Sequence, residues 1–509
     1  MSTLLLRQRL ILLAVCITAI TMPFNFTAPA VALPAIGQSF GGSPMELSWV
    51  TNAFMLTFGS FLMLAGTLAD SYGRKKIFIG GVSAFAILAA ILPFAPNLML
   101  FDVLRGAQGV AAALAFSGGM SALAQVFDGA GRIRAFSFVG TSFGIGLAIG
   151  PVVAGAIIET FNWQLMFLLI TVLAVISLAL AGRYMPESRN PEAAGIDWPG
   201  ALTFTWALGI FTFAILEVPE SSWTHPLVLG LFGVALLSFV AFVVIEKRVA
   251  QPMLDLSLFR FPRFVGVQLL AAAPAYSFVV LLILLPIRCV GIEGMSAISA
   301  GWLLIALSAP LLVLPIVAGY LTRWLSPSTL SGSGLLVCAA GLYWLSLVPV
   351  GSSAAELAWP MLVIGAGISL PWGLMDGMAV SVVPKERAGM ATGIFSTTRV
   401  AGEGVAIAVV TALLSAYTAS NLGALADGNL TQVVGAAQHL ATGNLMGAEQ
   451  LLPDVGRATL AEGYSAAFSR LLWVLTVITV LTAAVVFLFL DRGPIEADNT
   501  GETAPDPAA

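Results

Sequence analysis

The residues from Trp49 to Ala65 carry no charge, and apolar stretches of this length recur along the whole chain. About 20 such residues, wound as a helix, cross the hydrocarbon core of a bilayer. Fourteen stretches qualify, near residues 10–36, 46–69, 77–95, 98–124, 135–159, 163–184, 199–217, 225–246, 264–290, 297–321, 330–349, 357–382, 388–416 and 467–490. They lack the alternation of barrel strands, and only helices and closed barrels satisfy their backbone in lipid. The expected fold is an all-α integral membrane protein with fourteen transmembrane helices. Charged residues, at 9% of the chain against about a quarter in soluble domains, agree.

Basic residues orient the spans, because cytoplasmic loops are enriched in Lys and Arg. With the N-terminus inside, 17 of the 22 basic residues fall in cytoplasmic segments. Arg105, Arg288 and Arg399 fall within spans, and Arg457 and Arg470 lie on or beside the last outer loop. Both termini are therefore expected in the cytoplasm, which requires an even number of spans. Arg7 and Arg9 precede an apolar run to about Ile36, too long for a signal peptide, so it reads as a retained first helix. Residues 415–466 form a long outer loop with a short amphipathic helix expected around Leu430–Leu451. Residues 491–509 are polar and read as a disordered cytoplasmic tail.

Several functions are disfavoured at this stage. The net charge of −4 and the lack of a basic stripe speak against a nucleic-acid partner. Cys16, Cys289 and Cys338 sit in apolar runs, without disulfide or metal-ligand spacing. His225 and His439 are the only histidines, both in expected loops. No metal, no cofactor and no enzymatic activity are expected. A polytopic membrane enzyme would need a nucleophile or metal constellation, and a receptor would need a soluble output domain; neither is visible.

Between the second and third spans lies Gly66-Thr-Leu-Ala-Asp-Ser-Tyr-Gly-Arg-Lys-Lys76. Gly66 and Gly73 permit close approach and a tight turn, Asp70 can pair with a cation, and Arg74 and Lys75 place the turn on the cytoplasmic side. This stretch resembles the loop signature of the major facilitator superfamily, with Ser71 where the family usually has arginine. In the fourth span, Arg105, Gln108 and Gly109 resemble a second signature, Arg-x-x-Gln-Gly. Arg105 is either membrane-embedded or snorkelling, and Asp102, three residues earlier on the same face, could neutralise it. In the fifth span, Gly144-Ile-Gly-Leu-Ala-Ile-Gly-Pro-Val-Val-Ala-Gly155 resembles the motif associated with antiporters of the superfamily, at Gly150, Pro151 and Gly155; such small residues also serve plain helix packing. In the first span, Phe24-Asn-Phe-Thr-Ala-Pro-Ala-Val-Ala-Leu-Pro34 is similar to a signature whose acidic position is Asn25 here. Weaker matches at Asp197–Gly200, Pro252–Phe259 and Arg399–Gly404, with the span count, resemble the fourteen-helix drug:proton antiporter branch.

The resemblance implies two six-helix bundles plus two central helices. The first bundle would occupy residues 1–190, the central helices and linker 191–262, and the second bundle 263–490. It further implies a proton-coupled exporter of small organic molecules in the plasma membrane, working by alternating access as a monomer. Gly66, Asp70, Gly73, Arg74 and Lys75 would latch the bundles. Intramembrane charges are costly and mark functional sites. Glu403 lies ~22 Å along its span at ~1.5 Å per residue, near the midplane. Glu403, Asp102 and Asp376 are the candidate proton carriers, with Arg105 as partner; Arg399 could pair with Glu403, and Asp376 could be solvated. Asn25, Phe26, Gln108, Arg288, Trp372 and Arg399 are the candidate cargo contacts. Because Asn25 cannot titrate, and Arg105 and Arg288 are cationic, an alternative cargo is one anionic metabolite, such as a carboxylate siderophore.

Overall fold

The computed structural model describes residues 2–41, 44–189, 197–221, 223–249, 252, 254, 256–295, 297–383, 388–423 and 430–490. Six long helices come first: α1 (Ser2–Phe40), α2 (Pro44–Tyr72), α3 (Arg74–Ile91), α4 (Leu98–Val126), α5 (Gly129–Thr160) and α6 (Trp163–Tyr184). A central pair follows, α7 (Trp198–Ser221) and α8 (Pro226–Glu246). The remainder comprises α9 (Pro262–Pro274), α10 (Val280–Pro286), α11 (Ala297–Ser308), α12 (Pro310–Leu321), α13 (Pro327–Ser346), α14 (Ala354–Trp372), α15 (Met375–Ser381), α16 (Ala388–Gly423), α17 (Leu430–Ala441), α18 (Leu445–Leu451) and α19 (Arg457–Leu490). Among the described residues they supply 14 segments long and apolar enough to cross a membrane.

Three of these segments are not single helices. Pro262–Ile292 joins α9 and α10 through a wide turn at Ala275–Val279 and ends in another at Ile287–Ile292. Each follows a proline, Pro274 or Pro286, which has no N–H for the helical ladder. Pro310 separates α11 from α12, and Gly373 and Leu374 separate α14 from α15. Helix starts are set by side-chain caps. Asn97 and Asn162 accept from the backbone N–H three residues on, and Ser353 with Glu356 forms a capping box.

In the first bundle α4 packs on α2 and α3, and α1 packs on α5 and α6. In the second, α14 packs on α11, α12 and α13, while α19 packs on α9, α13 and α16. The bundles meet along two seams, α2 with α16 and α5 with α12. Lipid tails are as apolar as leucine, so close packing and hydrogen bonds must hold such helices together. At one seam the Gly393 position lies 3.1 Å from Met63 Cα, measured from where a Cβ would sit. The central helix α7 covers that seam, contacting both α2 and α16. Its start is fixed by Asp197, which accepts from Gly200 N at 2.9 Å, and the end of α8 by Glu246, which accepts from Leu254 N.

The segment before the last span is more helical than the sequence suggests. α16 runs on to Gly423 and α19 begins at Arg457, so the connection is shorter than residues 415–466. The single amphipathic helix expected over 430–451 is two helices. Gly443 breaks it with φ of 80°, a left-handed conformation favouring glycine. That turn seats against Gly291, at the end of the second wide turn. The 491–509 tail lies outside the described residues.

Candidate functional site

Arg399 of α16 is 1% exposed, and its guanidinium lies between the bundles. Two of its aromatic neighbours belong to the first bundle: Phe143 of α5, at 4.9 Å from the ring centroid, and Phe116 of α4, at 5.9 Å. Phe395, one turn back on α16, lies at 5.5 Å. Cation–π attraction of this kind is strongest when water is excluded. Arg399 Nη1 pairs with Asp376 at 3.2 Å, whereas its Nε has no partner. Asp376 is therefore buried and paired, not solvated, because the break at Gly373–Leu374 turns α15 toward α16.

Trp372 extends this aromatic cluster. Its ring sits 6.4 Å from Phe143 and 5.9 Å from Phe278 of the ninth span, and it is fully buried. Its Nε1 donates to the Gly140 carbonyl of α5 at 3.1 Å. Next to it, Ser137 Oγ donates to the Gly373 carbonyl. These two bonds tie the bundles together just where the twelfth span breaks, since unwinding there frees the Gly373 carbonyl for a side chain.

Glu403 lies one turn from Arg399 along α16, on a neighbouring part of the same face. It is 1% exposed, and its Oε1 has no partner. The Arg399–Glu403 pair open from the sequence is not formed: Asp376 takes the arginine.

A second buried cation occupies the first bundle. Arg105 is fully buried, so it does not snorkel. Its Nε donates to the Val50 carbonyl at 2.7 Å, Nη1 to Gln108 Oε1 and Nη2 to the Asn25 carbonyl, both at 2.8 Å. Phe54 faces it at 4.7 Å. Asp102 forms no ion pair with Arg105, and its Oδ1 is unpartnered. Gly109 completes the motif by letting α2 approach: a Cβ there would collide with Thr57 Oγ1 and the Phe54 carbonyl. Both side-chain amide atoms of Asn25 are buried without partners among the described residues.

On the face bearing Arg74, Asp70 accepts from Arg74 Nε at 2.9 Å and Nη2 at 2.7 Å. Gly73 has φ of 115°, and a Cβ there would lie 2.7 Å from Glu187 Oε1. Glu187 in turn accepts from Lys75 N at 3.1 Å, and Arg74 N donates to the Ser188 carbonyl. Lys75 Nζ donates to the Gly182 carbonyl. The turn is thus bound to the end of α6, inside its own bundle; Gly66 is buried in α2.

In the antiporter-like stretch, Gly150 faces Thr27 of α1, whereas a Cβ on Gly155 would meet nothing within 4 Å. The side chains of Pro151 and Phe26 lie outside the described residues. Arg288, weighed as an interface anchor or cargo counter-ion, is 1% exposed and pairs with Glu293 at 2.8 Å. Its Nη2 donates to the carbonyls of Val348 and Pro349, so it ties the ninth span to the connection before α14.

Phe116, Phe143, Phe395 and Ser137 were not singled out from the sequence. The chain has 31 phenylalanines, and nothing local marks those that face an arginine from another span.

The chain is similar to known membrane transporters in sequence and in fold. Multidrug resistance protein Stp of Mycobacterium tuberculosis (strain CDC 1551 / Oshkosh) is 29% identical over 393 residues, covering 77% of this chain and 73% of Stp. Multidrug transporter protein MdtP of Bacillus subtilis (strain 168) is 25% identical over 424 residues, covering 82% and 77%. The human organic anion transporter MFSD10 (TETRAN) superposes with a TM-score of 0.62 at 12% identity, covering 93% of this chain and 99% of that one, a likeness of fold alone. The Major Facilitator Superfamily profile matches residues 15–407. With fourteen spans, two bundles and a charged, aromatic seam between them, the chain belongs to the Major Facilitator Superfamily and is a multi-pass membrane transporter, not an enzyme.

Proposed function

We propose that this transporter exports small organic molecules in exchange for protons, by alternating access between the two bundles. The observation that carries the coupling is Glu403, a buried carboxyl beside the inter-bundle arginine but outside its ion pair, with Oε1 unpartnered among the described residues. Such a group gains or loses a proton without breaking an ion pair, which Asp376 cannot do while bound to Arg399. Export is supported by the names of the relatives, a multidrug resistance protein and a multidrug transporter. The aromatic cluster of Phe116, Phe143, Phe278 and Trp372 suits apolar, ring-bearing cargo. Arg288 is neutralised by Glu293, which removes one support for anionic cargo.

The bonds from Ser137 and Trp372 lie on the half nearer the Arg74 face, and they hold that half closed. With the basic loops inside, this is a state closed to the cytoplasm, with both termini cytoplasmic in the plasma membrane. The chain acts as a monomer, each copy holding both bundles.

Reconstituted vesicles test the coupling. With ethidium as cargo, wild type is expected to accumulate dye against its gradient when a pH gradient is imposed. Glu403→Gln should still bind dye but no longer respond to pH. A full pH-driven gradient in Glu403→Gln would place the proton elsewhere.

A further inference from the structure

Arg105 is 0% exposed, and each hydrogen-bond partner it has is neutral: the carbonyls of Val50 and Asn25 and the amide oxygen of Gln108. Asp102, three residues earlier on α4, acts on it only from a distance, with no ion pair or hydrogen bond between the two. A buried cation inside a bilayer protein calls for a compensating charge.

More donors lie on the two residues that this guanidinium already holds. Gln108 is 0% exposed; its Oε1 must be the acceptor, because arginine only donates, so the unpartnered atom is the Nε2 amino group. Asn25 is 0% exposed, and neither of its amide atoms has a partner among the described residues. Arg105 itself spends three of its five N–H groups on the bonds given above. The centre is therefore rich in donors, short of acceptors and positively charged. Water would satisfy the amides but bring no charge.

We propose that Arg105, Gln108 and Asn25 bind one small monovalent anion, chloride or the carboxylate end of a small organic acid, as a resident counter-ion of the first bundle. Phe54 lies over the guanidinium at 4.7 Å and closes one side of the centre.

The test uses the purified full-length protein in detergent, melted at constant ionic strength with gluconate replaced stepwise by chloride or by acetate. An anion that binds only the folded state raises the melting temperature saturably, here by ~2 °C or more. A rise with chloride alone identifies a halide site, and a rise with acetate as well identifies a carboxylate site; both support the proposal. Asn25→Asp supplies a fixed carboxylate, so its melting temperature should lose the anion dependence. Gln108→Glu provides the same test if Asn25→Asp does not fold. Identical melting in gluconate, chloride and acetate would overturn the site, as would an equal response in wild type and in a recovered acidic variant.

Discussion

Arg399 pairs with Asp376, from another span, and not with Glu403 one turn away on its own helix. The pair is enclosed by the aromatic rings of both bundles, so its two charges are nearly inaccessible to water. Removing one partner leaves the other buried and uncompensated, which costs ~3 kcal/mol or more. Asp376→Asn should therefore lower the detergent melting temperature clearly. The double variant with Arg399→Gln should recover part of the loss, as a double-mutant cycle would show.

Trp372→Phe keeps a ring against Phe143 and Phe278 but deletes the bond to the Gly140 carbonyl. A bond of this kind contributes ~1 kcal/mol, which is about a fivefold change in population if it exists in only one state. The variant should shift toward the state open at the Arg74 face. Longer distances between spin labels on the Arg74-face ends of α5 and α12 would show it; an unchanged distribution would remove the bond from the gating account.

Gly73→Ala forces a side chain onto a backbone at φ 115°, ψ 126°, strained by roughly 1–3 kcal/mol for any residue but glycine, and against Glu187. The variant should insert normally but transport poorly. Asp70→Asn should do the same, since it weakens the grip on Arg74 without touching an apolar span. Normal transport by well-expressed Asp70→Asn would count against a gating role for the turn.

Two glycines of the fifth span should behave oppositely. A Cβ on Gly146 would run into the Ile20 carbonyl and sit 2.7 Å from Pro23, whereas one on Gly155 meets open space. Gly146→Ala should reduce the yield of folded protein, and Gly155→Ala should leave yield and transport near wild type. Size-exclusion profiles and vesicle uptake measure both.

The membrane architecture was legible in the sequence because lipid imposes one requirement on every span: about 20 apolar residues with their backbone satisfied internally. Local chemistry was legible for the same reason. The charged turn at Gly66–Lys76 is bounded by residues that must leave the lipid, and Arg105 stands out in an apolar helix. Partners were not legible. Whether Arg399 binds Glu403 or Asp376 depends on how the twelfth span breaks at Gly373, and that break is stabilised by Ser137 from the other bundle. Asp102 acts on Arg105 only from a distance, while the guanidinium donates to carbonyls on α1 and α2. Apolar periodicity says which residues enter the membrane; only the packing of one helix on another decides which charges and rings meet there.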